Sequence, residues 1–500
     1  MRNSHNVKAR ALKVYLLRKM DRTEEAGALI VENLKVDSFD YISRLESAYL
    51  EPGRQEEIRL EISRLARGFH ENYLMAARHY AEFGAYEAAV QTLDQCSGKW
   101  PMLYYYKAYY LMLMGKDGSE TLKEALKQAE GCSTDYCFPN KLEDISVLRF
   151  AAERNPEGAN ANYYLGNLYY DKLQYRTALS YWEQSARLNP RFPTVWRNLS
   201  LAYYNKEKDR VRAREAMEKA YGLNPDDARI FLELDQLYKK LDMPAAERLE
   251  KYEAARDVFM KRDDLMIEYA TLLNLLGRYG ETYEFIMSYK FHPWEGGEGK
   301  VTAQYVVSLV ELARQAMAEK EWGAAEEYLT KALKYPENLG EGKLEGTKDN
   351  HINYYLGVVM ENQGKTEDAR AYFETAGVGT AEPAGMMYYN DQPADMIYYQ
   401  GLAKEKLGKP VEARARFYKL LDYGEQHMFD PMKIEYFAVS LPDFLIYEED
   451  LDKKNKAHCN YLIGLGKMGL GDMKGAKKAL EETIRLDHVH LNAIRYLNMI

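Results

Sequence analysis

Apolar residues along most of the chain recur every three or four positions, a spacing that places them on one face of an α-helix. The stretch 163–190, YYLGNLYYDKLQYRTALSYWEQSARLNP, shows this pattern twice around a short polar turn, and 195–225 repeats it. Pro156, Pro190 and Pro225 stand 34 and 35 residues apart. Proline ends a helix because its nitrogen has no hydrogen to donate. The pattern therefore predicts a repeated unit of two helices.

The same order of small and large residues returns along the chain. In 354–377, 400–421 and 462–487 a glycine in the first helix is followed by an alanine and a large apolar residue in the second, and 72–93 is a related copy. Strand signals are nearly absent. The period and pattern resemble tetratricopeptide repeats (TPR). This resemblance implies an all-α, right-handed superhelical solenoid of about ten to twelve helix pairs, whose concave groove is lined by first helices.

Inserted stretches interrupt this regular array. Degenerate helix pairs are expected in 1–157, regular repeats in 158–290, and repeats with inserted loops in 291–500. The inserted loops are 290–300, 335–350, 378–396 and 427–456. Insertions in a solenoid tend to lie on one face, often the binding face. FHPWEGGEGK and YPENLGEGK both contain proline and end in Gly-Glu-Gly-Lys, so we expect the first two loops to lie side by side.

Composition narrows the class of partner. The 500 residues are 46% hydrophobic and 29% charged, and the net charge of −9 argues against a nucleic-acid partner, which needs a clustered basic surface. The sequence contains no run of about 18 apolar residues, so no membrane-spanning helix is predicted. Four cysteines are too few for a disulfide framework. A protein of the reducing cytoplasm fits these features.

The motifs that would indicate nucleotide, metal or nucleophile chemistry are incomplete. Trp294 stands where a phosphate-binding loop needs its first glycine, and Val301 stands where it needs a hydroxyl. His488 and His490 are two residues apart and do not share a helix face. No serine or cysteine lies in a recognisable nucleophile motif. The sequence therefore predicts no cofactor, no metal site and no catalytic residue.

Acidic and aromatic residues on the inserted loops leave a second class of function open. Glu295, Glu298, Glu341 and Asp391 offer the pair of carboxylates that a glycosidase places roughly 5–10 Å apart, and Trp294 offers a platform for a sugar ring. The competing interpretation is that such carboxylates cap helix N-termini, as Asp395 is placed to do. Capping needs no further partner, so a binding protein is favoured over an enzyme.

Residues of the first helices and of the loops are the candidates for partner binding. They are Tyr163, Asn167, Tyr170, Tyr204, Tyr354 and Tyr398 in the predicted groove, and Trp294, Glu295, Glu298, Asn338, Glu341 and Asp391 on the loops. Such an aromatic and polar surface suits a protein, a peptide or a carbohydrate. It contains few cations, so a clamp for a peptide's C-terminal carboxylate is not expected. The alternative is that these tyrosines pack between adjacent repeats.

Several phrases lie outside the general repeat pattern. They are FPTVWRNLSLAYYNK, FHPWEGGEGK, YPENLGEGK, YYNDQPADMIYYQGLA and YFAVSLPDFLIYEEDLD. Through them the chain resembles the C-terminal repeat region of large bacterial proteins whose N-terminal domain is linked to β-sandwich sugar-processing modules. The resemblance implies a context in carbohydrate metabolism, and this chain would be a truncated piece or a separately encoded half. The main hypothesis is a scaffold that binds such a module in its groove, and the alternative is a carbohydrate-binding or sugar-processing protein.

Overall fold

A computed structural model describes residues 6–294, 296–383, 392–432 and 446–500. Within these ranges the chain forms helices and turns and no β-strand, which confirms the all-α prediction. The chain divides into two compact units, Met1–Ala202 and Tyr203–Ile500. The three-part division predicted from the sequence stays a prediction. Among the described residues, no helix combines the length and the apolar character needed to cross a membrane.

The first unit is built from antiparallel helix pairs. From residue 6 onward it contains α1 (Val7–Lys19), α2 (Thr23–Val36), α3 (Tyr41–Leu50), α4 (Gln55–Ala66), α5 (His70–Glu82), α6 (Tyr86–Leu93), α7 (Pro101–Leu113), α8 (Glu120–Glu130), α9 (Leu142–Arg154), α10 (Ala159–Asp171), α11 (Tyr175–Leu188) and α12 (Pro193–Ala202). Five pairs are consecutive helices, namely α1 with α2, α3 with α4, α5 with α6, α7 with α8, and α10 with α11. Helix α9 packs against α7 and α10.

The second unit begins with a π-helical turn, Tyr203–Glu207. Its described part continues with α13 (Arg210–Leu223), α14 (Ala228–Lys240), α15 (Ala245–Ala254), α16 (Arg256–Phe259), α17 (Asp263–Leu275), α18 (Tyr279–Met287), α19 (Lys300–Ala318), α20 (Trp322–Ala332), α21 (Asn350–Asn362), α22 (Thr366–Ala376), α23 (Met396–Lys406), α24 (Pro410–His427), α25 (Leu451–Gly469), α26 (Met473–Leu486) and α27 (Leu491–Leu497). Helices α17 to α26 form consecutive pairs, and a hydrogen bond from Arg248 to Asp235 joins α15 to α14.

Close approach within a pair depends on a glycine in the first helix. A Cβ atom added to Gly401 of α23 would lie 2.3 Å from the ring of Phe417 in α24, so only glycine leaves room for that ring. The same relation joins Gly166 to Trp182, Gly357 to Phe373, and Gly464 to Leu480. These are the small and large positions of the predicted repeat. The structure therefore confirms the physical basis of the sequence pattern.

A buried ionic cluster joins α14, α15 and α17 in the second unit. Arg248 is 0% exposed and donates hydrogen bonds to Asp235 at 2.8 and 2.7 Å and to Glu268 at 2.7 Å. Burial alone would raise the pKa of Glu268, but Lys239 and Arg248 outweigh it and lower the pKa to about 2. The charge of Arg248 is thus paired, as a buried cation requires.

Candidate functional site

The first two inserted loops lie against each other, as their matching sequences predict. The N–H of Phe291 donates to the carbonyl of Asn338 at 2.8 Å. The N–H of Gly299 donates to both carboxylate oxygens of Glu341, at 3.1 and 2.9 Å. Gly340 has a φ of +77°, and a Cβ atom on it would lie 2.7 Å from the carbonyl oxygen of Phe291. We call residues 291–300 and 335–343 the loop pair.

The polar residues of the loop pair hold helix ends. Asn338 donates to the carbonyls of Ile286 and Tyr289, both at 2.9 Å, where α18 ends. Glu341 binds the N–H of Gly299, the N-cap residue of α19, which is the capping role weighed for the acids from the sequence. Both side chains therefore have a structural role, because they bind backbone groups at helix ends.

Among the aromatic and remaining acidic candidates of the loops, Trp294 packs within its own loop. The ring of Trp294 packs on Gly297, where an added Cβ would lie only 2.0 Å away. Glu298 is half-buried on the same loop. Glu295 and Asp391 lie outside the described residues. Across the described ranges, no group of three or more His, Cys, Asp and Glu side chains could hold a metal ion.

The candidates in the first unit pack against its own helices. The ring centroid of Tyr163 is 4.8 Å from that of Phe192. Asn167 accepts hydrogen bonds from the indole N–H of Trp182 at 3.0 Å and from the Asn198 amide at 3.2 Å. Tyr170 is half-buried, with its ring centroid 5.2 Å from that of Trp182. The contacts with Trp182 lie inside the pair of α10 and α11, and the contact of Asn167 with Asn198 reaches α12.

Two candidates of the second unit are similarly placed. Tyr398 is 6% exposed, and its ring centroid lies 5.9 Å from that of Phe417. Tyr354 is half-buried, with its ring centroid 6.0 Å from that of Phe373. Burial raises the pKa of both phenols, which keeps them uncharged in this apolar setting. Both side chains contribute to helix packing.

Tyr204 differs from the other candidates because it contacts a distant, irregular part of the chain. Its ring meets the edge of Tyr447 with centroids 5.1 Å apart, and Tyr447 is 1% exposed. Next to it, the Asn205 side-chain amide donates to the carbonyl of Ile446 at 2.8 Å. The Asn205 side-chain carbonyl accepts from the N–H of Glu448, also at 2.8 Å. One side chain therefore binds the backbone on both sides of Tyr447.

Lysines surround this contact and pair with the acids that follow Tyr447. Lys206 and Lys208 donate to the two carboxylate oxygens of Glu448 at 2.6 and 2.8 Å. Lys240, at the end of α14, pairs with Glu449. We call Tyr204, Asn205, Lys206, Lys208 and Lys240 the Asn205 surface, and residues 446–449 the YEE segment.

The charges at this contact are mutually stabilised. Burial alone would raise the pKa of Glu448, but hydrogen bonds from Lys206 and Lys208 outweigh it and lower that pKa. Burial also opposes ionisation of Glu449, but Lys240 and Lys454 together outweigh it and lower the pKa of that carboxyl. Burial lowers the pKa of Lys240 despite its pairing with Glu449. The surface is thus built for a carboxylate-bearing segment.

The C-terminal helix α27 is a second segment seated on first helices of the second unit. Arg495 donates to Glu311 of α19 at 2.8 and 2.5 Å. The hydroxyl of Tyr496 donates to that of Tyr399 in α23 at 2.8 Å. Burial would lower the pKa of Arg495, but Glu311 outweighs it and the pKa is raised, so this buried ion pair is maintained. Helix α27 also packs against α17.

Reasoning from the sequence missed the three lysines of the Asn205 surface. It selected Tyr204, and it counted few cations in the groove. The available signal was Asn205-Lys206-Glu207-Lys208, a basic run in a chain of net charge −9. Its match to Tyr447-Glu448-Glu449 is not visible in the sequence, because more than 200 residues separate the two stretches.

The helix-pair repeat has a counterpart among known families. Residues 165–228 match the family model described as a tetratricopeptide repeat. Residues 165–228 are therefore a tetratricopeptide-repeat region of this chain. The matched part runs from α10 into α14, and it includes the turn that carries Tyr204 and Asn205. Together with the helix pairs of both units, it confirms the predicted fold class, an all-α TPR solenoid.

Solved TPR structures show distant similarity to this TPR chain. A thermophilic TPR protein of Thermus thermophilus, TTC0263, is 20% identical, and the match covers 41% of this chain and 98% of that one at a TM-score of 0.24. YrrB, a TPR protein with an unusual peptide-binding site, is 16% identical over 46% and 92%, at 0.19. Yeast Tom70 is 11% identical over 99% and 95%, at 0.29. Scores this low carry no argument about binding.

Proposed function

We propose that this TPR chain is a scaffold that binds partner proteins through the first-helix face of its repeats. The supporting observation is that this face already holds polypeptide. In the second unit, α27 is seated on α17, α19 and α23 through Arg495 and Tyr496. Repeats of paired helices typically present such a face to partners.

A photo-crosslinking experiment tests where partners bind. A photoreactive amino acid replaces Tyr170 or Tyr354, which lie half-buried on the first helices α10 and α21, or it replaces Val211 or Val411. Val211 and Val411 lie 67% and 81% exposed on the second helices α13 and α24. We expect crosslinked partners from the first pair of positions and few from the second pair. Equal crosslinking at all four positions, or none at any, would count against the proposal.

The finer identity of the partner comes from the resemblance alone. We propose that a carbohydrate-related β-sandwich module, as found in the large bacterial proteins, is one partner, and that the complex forms in the cytoplasm. Co-expression of this chain with such a module, followed by size-exclusion chromatography, is the direct test. Separate elution of the two proteins at micromolar concentration would remove this partner.

The alternative function, sugar binding or sugar processing at the loops, has less support. Glu341 is engaged by the N–H of Gly299, and the ring of Trp294 is covered by Gly297. A glycosidase instead needs two carboxyl groups facing an open cleft. A glycan-binding screen of the wild type against Trp294→Ala and Glu298→Gln distinguishes the two, and the scaffold proposal expects no glycan signal in any of them.

A further inference from the structure

The contact between Asn205 and the YEE segment has the form of peptide recognition. An amide side chain that donates to one backbone carbonyl and accepts from the N–H two residues later fixes the position of the bound backbone. Here these bonds are to Ile446 and Glu448, both at 2.8 Å. Asn205 is itself only 8% exposed, so its amide is held in place. The backbone bonds set the register of the segment.

Side chains then add sequence preference to that register. The residue between the two bonded positions, Tyr447, is buried against Tyr204. The following two positions carry acids that meet Lys206, Lys208 and Lys240. A bound segment should therefore read as tyrosine, acidic, acidic, directly after the residue whose carbonyl Asn205 binds. The complementarity of charge is local, because the chain as a whole has a net charge of −9.

The local backbone is also unusual on the receiving side. Tyr203–Glu207 forms a π-helical turn, a rare conformation that is frequent at functional sites. The N–H of Asp209 donates to the carbonyl of Tyr203 at 2.9 Å and closes this wide turn. Arg212 stacks over the ring of Tyr203 with 4.2 Å between the guanidinium carbon and the ring centroid. The turn therefore holds Tyr204 and Asn205 in a fixed position.

The YEE segment is short and the outer part of its contact is open to solvent. The side chains of Glu448 and Lys208 are 48% and 67% exposed. Pairs of this kind hold weakly and are screened by salt. A tethered segment nevertheless competes at an effective concentration on the order of millimolar. An incoming peptide must therefore overcome the chain's own segment.

We propose that the Asn205 surface is a binding site for acidic partner segments with the sequence Tyr-Glu-Glu, and that the YEE segment occupies it as an intramolecular competitor. The proposal rests on the scaffold function and names the chemistry of its partner. Under this proposal, the YEE segment and a partner segment cannot occupy the Asn205 surface at the same time. The full chain binds such peptides weakly until its own segment is released.

The test uses a fluorescent synthetic peptide, Ile-Tyr-Glu-Glu-Asp, and fluorescence polarisation with the full chain. Glu448→Lys with Glu449→Lys should release the chain's own segment and tighten peptide binding at least tenfold relative to wild type. Adding Asn205→Ala to this variant should weaken binding at least tenfold. Glu319→Lys with Glu337→Lys, at exposed positions, produces the same change of net charge and should leave the wild-type affinity unchanged.

A charge exchange supplies a stricter control. The peptide Ile-Tyr-Lys-Lys-Asp should not bind the released variant. Lys206→Glu with Lys208→Glu in the otherwise wild-type chain repels the chain's own Glu448. This variant should bind Ile-Tyr-Lys-Lys-Asp and should not bind the original peptide. Equal affinity of the released variant and its charge control would overturn the proposal. So would peptide binding that Asn205→Ala leaves unchanged.

A second measurement does not depend on the released variant folding. In the wild-type chain, millimolar peptide should accelerate hydrogen exchange at the amide of Glu448, which Asn205 protects. Unchanged exchange would overturn the proposal. The outcomes also separate it from the scaffold function. A partner captured equally well by wild type and Asn205→Ala would support the scaffold function and contradict this binding site. Peptide binding without any crosslinked partner would support this binding site and contradict the scaffold function.

Discussion

The loop pair and the Asn205 surface both join parts of the chain that the repeat does not account for, yet they differ in what makes the contact. In the loop pair, the bonds run from backbone N–H groups to Asn338 and Glu341, and glycines allow the close approach. At the Asn205 surface, side chains of one element bind the backbone and the acids of another. The first contact completes helix ends, and the second resembles a receptor with its ligand.

The difference shows that a conspicuous sequence motif need not be a binding site. The Gly-Glu-Gly-Lys endings are conspicuous because tight turns and caps demand particular residues at particular positions. A groove that reads a peptide needs only an amide and a few cations at suitable places. Such residues are common on any surface, so they attract no notice in a sequence. Four expected outcomes sharpen this comparison, from the largest effect to the smallest.

Substitution of Gly340 should have the largest effect. In Gly340→Val, a side chain would be forced into a φ of +77° and its Cβ would lie 2.7 Å from the Phe291 carbonyl oxygen. We expect the free energy of unfolding of the second unit to fall by about 3 kcal/mol. Urea denaturation measures it. Gly342→Ala is the matched control, because nothing lies within 4 Å of its added Cβ, and a comparable loss there would contradict the explanation.

Removal of the cap on α19 should have a smaller effect. Glu341→Ala leaves the N–H of Gly299 without its carboxylate and should cost about 1–2 kcal/mol. Glu298→Ala, on the loop that carries Gly299, serves as the control. It should lower the free energy of unfolding by much less than Glu341→Ala does. Both variants should bind the Ile-Tyr-Glu-Glu-Asp peptide as the wild type does. A change of peptide affinity in Glu341→Ala would mean that the loop pair takes part in binding.

Low pH should weaken the contact between the Asn205 surface and the YEE segment. It should leave intact the hydrogen bond between the Phe291 N–H and the Asn338 carbonyl. The pKa values of Glu448 and Glu449 are lowered in the folded chain, so their charges stabilise it above the ordinary glutamate pKa. That stability is lost as the pH falls below about 4.5 and through the lowered values. Hydrogen exchange, corrected for its intrinsic pH dependence, should show lost protection at Glu448.

The amide of Phe291 provides the internal reference for that experiment. It donates to a backbone carbonyl, a bond that contains no titrating group. Its protection should stay constant over the same pH range and in 1 M salt. Parallel loss at Phe291 and Glu448 would indicate general unfolding of the second unit and contradict a charge-dependent contact.

The smallest effect is expected from the exposed ion pair between Lys290, just before the loop pair, and Glu337 within it. Lys290 and Glu337 are 3.2 Å apart, with side chains 69% and 92% exposed. Solvent screens such pairs, so Lys290→Ala should change the free energy of unfolding by less than about 0.5 kcal/mol. Thermal denaturation can detect a loss of stability larger than this. A larger loss would show that charge also holds the loop pair together.

The prediction from sequence succeeded where one local rule decides the outcome. The positions of Gly401 and Phe417 follow from the repeat, since a small and a large residue must face each other in each pair. The match between the two loops was also readable, because each carries the same turn residues. The role of Asn338 was not readable, because its partners are backbone carbonyls, which any residue could supply. Capping was weighed for the acids from the sequence, but the sequence did not show that Glu341 reaches the N-terminal end of α19.

The sequence alone determined the all-α helix pairs, the places where they are interrupted, and the exclusion of a phosphate-binding loop. Periodicity, glycine spacing and proline stops are local, so they can be read along the chain. Only the tertiary structure decided that Tyr398 is packed inside, that α27 lies on first helices, and that Asn205 meets Glu448. Those outcomes depend on which distant segments approach each other, and no local rule encodes a partner more than 200 residues away.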